Sequence, residues 1–193
     1  MISWMKNNPV TVRLRARLTG FADDTRGTVT VEALIMLPLL LWAYCALFTF
    51  FDAYRQTSIN HKAAYTLSDM LSRETSPVTN DYLDAAQSML GFLTRSGTER
   101  RLRVTVVRYD MDDDEHYVEW SEVRGTVSAL DDATVGTWET RLPVMVDEER
   151  LVLVETWTDY DAPFNIGLND RTISTFVFTR PRFAPQLLFD ASA

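Results

Sequence analysis

The sequence predicts an α+β protein in which a long N-terminal membrane-spanning helix continues into a small antiparallel-sheet domain. Three observations support this fold class. An uncharged apolar run of nineteen residues extends from Ala33 to Phe51, apolar residues at helical spacing follow it, and segments with a period of two come later. We therefore divide the chain into a leader (1–27), a transmembrane helix with its soluble extension (28–76) and an outer α+β domain (77–193).

The apolar run is long enough to cross a bilayer. At 1.5 Å per residue it measures roughly 28 Å, close to the ~30 Å of the hydrocarbon layer. Pro38 lies inside it and removes one backbone hydrogen bond, which predicts a local kink, although a membrane helix also tolerates proline without a specific role. Cys45 is the only cysteine, so no internal disulfide forms. The bulky Trp42 and Tyr44 before it argue against lipid attachment.

Charge sets the expected orientation. Residues 1–27 contain five basic and two acidic side chains, a net +3, whereas the whole chain carries −8. Basic residues beside a membrane helix favour the cytoplasmic side, so we expect a cytoplasmic N-terminus and an exported acidic domain. The run is longer than a secretory h-region and no Ala-x-Ala follows it, so cleavage on the far side is not expected. An acidic surface repels phosphate, which argues against a nucleic-acid partner.

The start of the helix carries a costly charge. Gly27 ends the basic leader, and Glu32 follows five residues later, where an unpaired carboxylate in the membrane costs about 2.5 kcal/mol or more. Cleavage after Gly27 would make Thr28 the first residue. The new ammonium group of a neighbouring copy or of a related subunit would then be a partner for Glu32.

This arrangement resembles a type IV prepilin. Val31-Glu32-Ala33-Leu34 and Leu37-Pro38-Leu39-Leu40 are similar to blocks of the TadE-like minor pseudopilins of tight-adherence (Tad/Flp) pilus systems, although Ala33 replaces the aromatic residue usual there. Val152-Leu153-Val154-Glu155, Tyr160, Pro163 and Arg180-Pro181-Arg182-Phe183 are weakly similar to the tails of that family.

The resemblance implies a pilin-like fold and a role in pilus assembly. It implies cleavage between Gly27 and Thr28 by a prepilin peptidase, register set by Glu32, and a kink at Pro38 that helps the subunit enter or leave a filament. The implied partners are other pilins or pseudopilins, the Tad inner-membrane assembly machinery and the lipid bilayer. The implied location is the bacterial inner membrane, single pass, with the C-terminal domain in the periplasm or in a surface pilus.

Two helices are predicted. The first runs from about Val29 to Glu74 and is stopped by Pro77. Its soluble part has one apolar stripe, formed by Ala63, Ala64, Leu67, Met70 and Leu71. Ser68 is placed on another face. The second begins at a cap supplied by Thr79, Asn80 or Asp81 and ends at Gly97. Its apolar face comprises Tyr82, Leu83, Ala86, Met89, Leu90 and Leu93.

Four strands follow. Alternation predicts strands at Leu102–Val106, Tyr117–Val123, Leu151–Thr158 and Thr172–Thr179. The first two pair across the loop Asp110–His116, and Val118 and Trp120 are placed on one side of the second. The segment Gly125–Asp147 is predicted to be a long connection with a short helix near Ala129–Val135.

No catalytic or cofactor motif is present, so we do not predict an enzyme. Asp110, Asp112 and Asp114 have the spacing of a calcium loop, but Glu115 replaces its glycine and Ser121 its distal glutamate. We expect a solvated hairpin loop, with weak calcium binding as the alternative. The large aromatic residues suit core or edge packing, with a sugar-binding platform as the alternative (Trp120, Trp138, Trp157, Phe176, Phe178).

Two functions other than assembly remain open from the sequence. One is an uncleaved single-pass signal-anchor protein with a periplasmic ligand- or carbohydrate-binding domain. The other is a membrane-tethered enzyme whose site has no recognisable motif. The mass and N-terminal residue of the protein separate the first from a pseudopilin, because only a pseudopilin loses its leader.

Overall fold

The computed structural model describes residues 20, 26–95 and 100–192, and the side chains of Arg26 and Thr28 fall outside that description. Most of the predicted leader, together with Gly97, also lies outside it. The chain divides into two compact units, Met1–Phe48 and Thr49–Ala193. Helix α1 spans Arg26–Arg73, close to the predicted range, and is continuous through Pro38.

The soluble part of α1 packs through the predicted stripe. Ala63, Leu67 and Leu71 are buried, and they share one core with α2 and with the sheet. Ser68, which the sequence placed on another face, is also buried. It lies one turn after the fully buried Ala64, so the contact face of the helix is wider than the apolar stripe alone.

Helix α2 (Asn80–Thr94) begins at its predicted cap. The Thr79 side chain accepts a hydrogen bond from the Tyr82 backbone N–H at 3.2 Å. The helix ends at Thr94, earlier than the predicted Gly97, because Arg95 adopts a left-handed conformation with φ 52°. That conformation turns the chain out of the helix before the glycine is reached.

The four predicted strands form one antiparallel sheet. They are β2 (Arg100–Asp110), β3 (Glu115–Arg124), β4 (Arg150–Tyr160) and β5 (Arg171–Thr179). Their order is β3-β2-β4-β5, so β2 and β4 are central and each is longer than its predicted core. β2 and β3 form the predicted hairpin.

Each face of the sheet has its own core. Val104, Val106, Val152 and Val154 face the two helices. The alternate residues, such as Val107 and Leu153, face the connection between β3 and β4, whose apolar residues fill a second core (Leu130, Val135, Trp138, Leu142, Met145). Within this connection α3 spans Asp132–Val135, inside the predicted range. The sheet is therefore covered on both sides.

A register shift in β3 corrects one prediction. Val106 pairs with Trp120 and Val107 with Val118, so Glu119 is skipped. Trp120 consequently packs in the helix-side core, whereas Val118 packs in the second core. The sequence placed both on one side because strict alternation assumes no bulge.

A short second sheet was not predicted. Strands β1 (Val78–Thr79) and β6 (Phe189–Asp190) pair in parallel. The Val78 N–H donates to Leu188 O at 2.8 Å, and the Trp120 indole N–H donates to Leu187 O at 2.7 Å. We call residues 187–190 the C-terminal clasp, because they close the helix-side core.

Candidate functional site: the apolar half of the long helix

The N-terminal half of α1 is apolar and exposed. Within the described residues, it is part of a helix long and apolar enough to cross a membrane, with a mean hydropathy of 2.2 over its most apolar window. Only 6% of that window is buried. Large apolar side chains therefore face outward and are left exposed by the residues that the structure describes (Leu34, Ile35, Leu37, Leu39, Leu40, Leu41, Trp42, Leu47). A membrane span or a signal anchor has this character.

The predicted processing and assembly residues lie in the first two turns of α1. Gly27 and Glu32 are both exposed. The peptide bond between Gly27 and Thr28 lies close to the N-terminus of the helix, which begins at Arg26. A Cβ atom added at Gly27 would meet nothing within 4 Å, so a larger side chain there causes no clash among the described residues.

The outer domain reaches the last turn of the apolar run. Thr49 is fully buried, and Ala53 packs with Tyr160 and Ile173 in a small third core. The Tyr160 hydroxyl group lies 3.5 Å from Thr49 O and donates to Asp52 Oδ2 at 3.1 Å. Burial and this bond to Asp52 raise the pKa of Tyr160 to about 12. The first carboxylate after the apolar run is thus held by the end of β4.

Polar side chains on the buried stripe of α1 continue this attachment. Gln56 Nε2 donates to Thr94 O at 2.8 Å, which ties α1 to the end of α2. Asn60 is fully buried, and its Nδ2 donates to Gln56 O at 2.9 Å. Neither residue was predicted from the sequence to take part in packing. The available signal was their position, three and seven residues after Ala53 on an otherwise apolar face.

We compared the chain with protein families, curated proteins and solved structures. None of the three comparisons found a match.

The predicted calcium-loop residues form a tight hairpin turn. Asp110 accepts hydrogen bonds from Arg108 at 3.1 Å and from the Asp112 N–H at 3.1 Å. The hydrogen bond from Arg108, together with those from the backbone N–H groups of Asp112 and Asp113, lowers the pKa of Asp110 despite its partial desolvation. Asp114 accepts from the Tyr109 hydroxyl group at 2.6 Å and has φ 55°. Among the described residues, no group of three or more acidic, histidine or cysteine side chains is arranged to hold a metal ion.

A cleft of about 290 Å³ adjoins this turn. Tyr109, Asp114, His116 and Glu139 line it together with residues 142–145. Burial lowers the pKa of His116, although Glu139 and Asp114 act in the opposite direction. The His116 imidazole can exchange hydrogen bonds with the two carboxylates, and the lining residues include no serine, threonine or cysteine.

The large aromatic residues pack mainly against the protein. Trp138 meets Phe176 edge to face at 5.9 Å, and the Arg141 guanidinium group lies 4.2 Å from the Trp138 ring centroid. Trp120 packs against Phe189 at 5.5 Å. In these contacts the rings are used for packing, as the sequence predicted.

Proposed function

We propose that this protein is a minor pseudopilin that takes part in assembly of a Tad/Flp-type adhesive pilus. It would act through helix–helix contacts in the bacterial inner membrane, with its N-terminus cytoplasmic and its α+β domain periplasmic. The resemblance of residues 26–50 to TadE-like proteins suggests this role. One structural observation carries it: α1 is exposed and apolar over its first half and packed on an antiparallel sheet over its second.

The exposed N-terminal half of α1 is suited to contacts with other helices. Lipid covers apolar side chains but offers no partner for a carboxylate, so a positive group beside Glu32 would stabilise its charge. An ammonium group at the first residue of a neighbouring processed subunit supplies one. The packed half then holds the outer domain at a fixed place on the helix that assembles.

The test is the N-terminal residue of the membrane-extracted protein from its native host. Processing gives a chain that begins at Thr28, and Gly27→Val accumulates the full-length chain because a branched side chain blocks access to the bond. Gly27→Ala is the matched control, with a small side chain in the same open position. A wild-type chain that begins at Met1 or Ile2 would contradict processing.

The second candidate is an uncleaved signal-anchor protein with a periplasmic ligand-binding domain. The cleft between Tyr109, His116 and Glu139 favours it, since its polar groups converge on one open space. An unprocessed N-terminus, together with a ligand that protects His116 from chemical modification, would favour this function over assembly.

A further inference from the structure

We infer that the loop between β4 and β5, residues 161–170, is a membrane-contacting surface that seats the outer domain on the lipid interface. The inference rests on the part of the proposed function that has α1 span the bilayer, and it does not depend on pilus assembly. It follows from the direction of β4 along α1.

Two sets of contacts give that direction. Near its start, β4 shares a core with Leu67 and Leu71 of α1 through Val152 and Val154. At its end, Tyr160 packs with Ala53. The strand therefore runs along α1 toward the apolar segment, and β5 starts at the same level because Arg171 pairs with Tyr160.

The end of the strand lies at the level of the membrane boundary. Thr49 belongs to the last turn of the uncharged run that ends at Phe51, yet it is fully buried. The Tyr160 hydroxyl group is 3.5 Å from its carbonyl oxygen. The loop that follows Tyr160 therefore begins at the level of the lipid interface, and its Ala162 and Leu168 pack against the core formed by Ala53, Tyr160 and Ile173.

The side chains at this end suit a lipid interface. Phe51 is 72% exposed, Tyr54 75% and Phe164 45%, and aromatic residues are enriched at the boundary between headgroups and hydrocarbon. Arg55 and Arg171 are exposed at the same level and can reach phosphate oxygens.

The carboxylates in this region are mostly engaged within the domain. Asp52 accepts from Tyr160, and Asp170 accepts from the Ala162 N–H at 2.8 Å, which closes the neck of the loop. Asp161 is exposed and acidic. The acidic and basic side chains therefore roughly balance, so we expect the contact to depend on apolar insertion and not on anionic lipid.

The test measures depth in the bilayer by spin-label accessibility. Full-length Cys45→Ala protein is labelled at Phe164→Cys, or at the exposed Asn165→Cys, in vesicles of phosphatidylethanolamine and phosphatidylglycerol. Val144→Cys is the matched control, because it is 95% exposed and precedes the other end of β4. Leu40→Cys reports on the spanning segment itself. Circular dichroism confirms that each labelled protein is folded.

We expect the ratio of oxygen to nickel-chelate collisions to be severalfold higher at positions 164 and 165 than at 144. The ratio should hardly change when phosphatidylglycerol is replaced by phosphatidylcholine. If position 40 reports lipid while 164 and 165 match 144, the loop inference is wrong and the membrane span stands. If position 40 itself is open to the nickel chelate, both the span and the loop inference are wrong.

Discussion

The Tyr160 hydroxyl group donates a hydrogen bond to Asp52 across 108 positions of sequence, at 3.1 Å. Tyr160 is 5% exposed, so the bond forms where water competes poorly. It joins the end of a central strand to the first charged residue after the apolar run. The attachment of the outer domain to α1 can be tested at this pair.

Removal of the hydroxyl group should loosen this attachment. We expect Tyr160→Phe to lower the free energy of unfolding of the outer domain by about 1–2 kcal/mol, because Asp52 loses a donor in a partly buried place. Tyr54→Phe, at a position 75% exposed, is the control and should change it little. Chemical denaturation of the full-length protein in detergent measures both. Equal stabilities of the two variants would contradict a structural role for the bond.

The same pair predicts a dependence on alkaline pH. The pKa of Tyr160 is raised to about 12, above the value of about 10 of an unfolded tyrosine. The protonated hydroxyl group therefore stabilises the folded state fully below pH ~10, and this contribution is lost as the pH rises toward 12. Absorbance at 295 nm should show one late-titrating tyrosine fewer in Tyr160→Phe. If the difference between the wild-type and variant titrations rose near pH 10, Tyr160 would titrate normally and the prediction would be wrong.

A second internal pair should matter more for stability. Arg103 forms an ion pair with Glu155 at 2.5 Å, and both side chains are largely buried, at 12% and 6% exposure. Arg103→Met leaves the Glu155 carboxylate with Arg141 at 3.8 Å. We expect this substitution to lower the free energy of unfolding by about 3–5 kcal/mol. Arg103→Met with Glu155→Met should cost less than Arg103→Met alone.

The control for that comparison is an exposed pair. Arg73 and Asp69 lie one helical turn apart on α1, with side chains 56% and 42% exposed. Asp69→Asn should change stability by no more than about 0.5 kcal/mol. The prediction would be wrong if Arg103→Met lowered the free energy of unfolding no more than Asp69→Asn does in the same denaturation assay. Glu155 would then have another partner or be protonated.

The acidic turn should not respond to calcium. Its carboxylates already accept hydrogen bonds from Arg108, Tyr109 and Tyr117. We therefore expect the melting temperature of the full-length protein to be the same in calcium and in chelator. Magnesium at equal ionic strength controls for screening. A saturable rise at sub-millimolar calcium would contradict this and favour a ligand-regulated role.

Glu32 should act in assembly and not in folding. Glu32→Gln keeps the size of the side chain but removes the charge that would attract an ammonium group, so we expect reduced recovery of partner pseudopilins and fewer surface fibres. Membrane insertion should be unchanged or slightly easier. Asp81→Asn, an exposed carboxylate in α2, is the matched control. Normal partner recovery and normal fibres in Glu32→Gln would refute the register hypothesis.

The sequence predicted the helices and strands of this fold better than it predicted the contacts between them. Periodicity located both long helices and all four strands of the main sheet, because each is repetitive over many residues. It missed the shift at Glu119, since a bulge leaves no mark in the alternation of Val118 and Trp120. It also missed the pair of Asp52 and Tyr160. That contact depends on tertiary packing between residues far apart in sequence.

The C-terminal clasp affects the order in which the protein can fold. Leu187 is 2% exposed in the core that α1 and α2 share, and Phe189 pairs beside Val78. The groove that these residues fill stays open until residues 187–190 have emerged. In the proposed topology, residues 187–190 must therefore be translocated before the domain is closed, and a chain truncated before Leu187 would present an open core to periplasmic proteases.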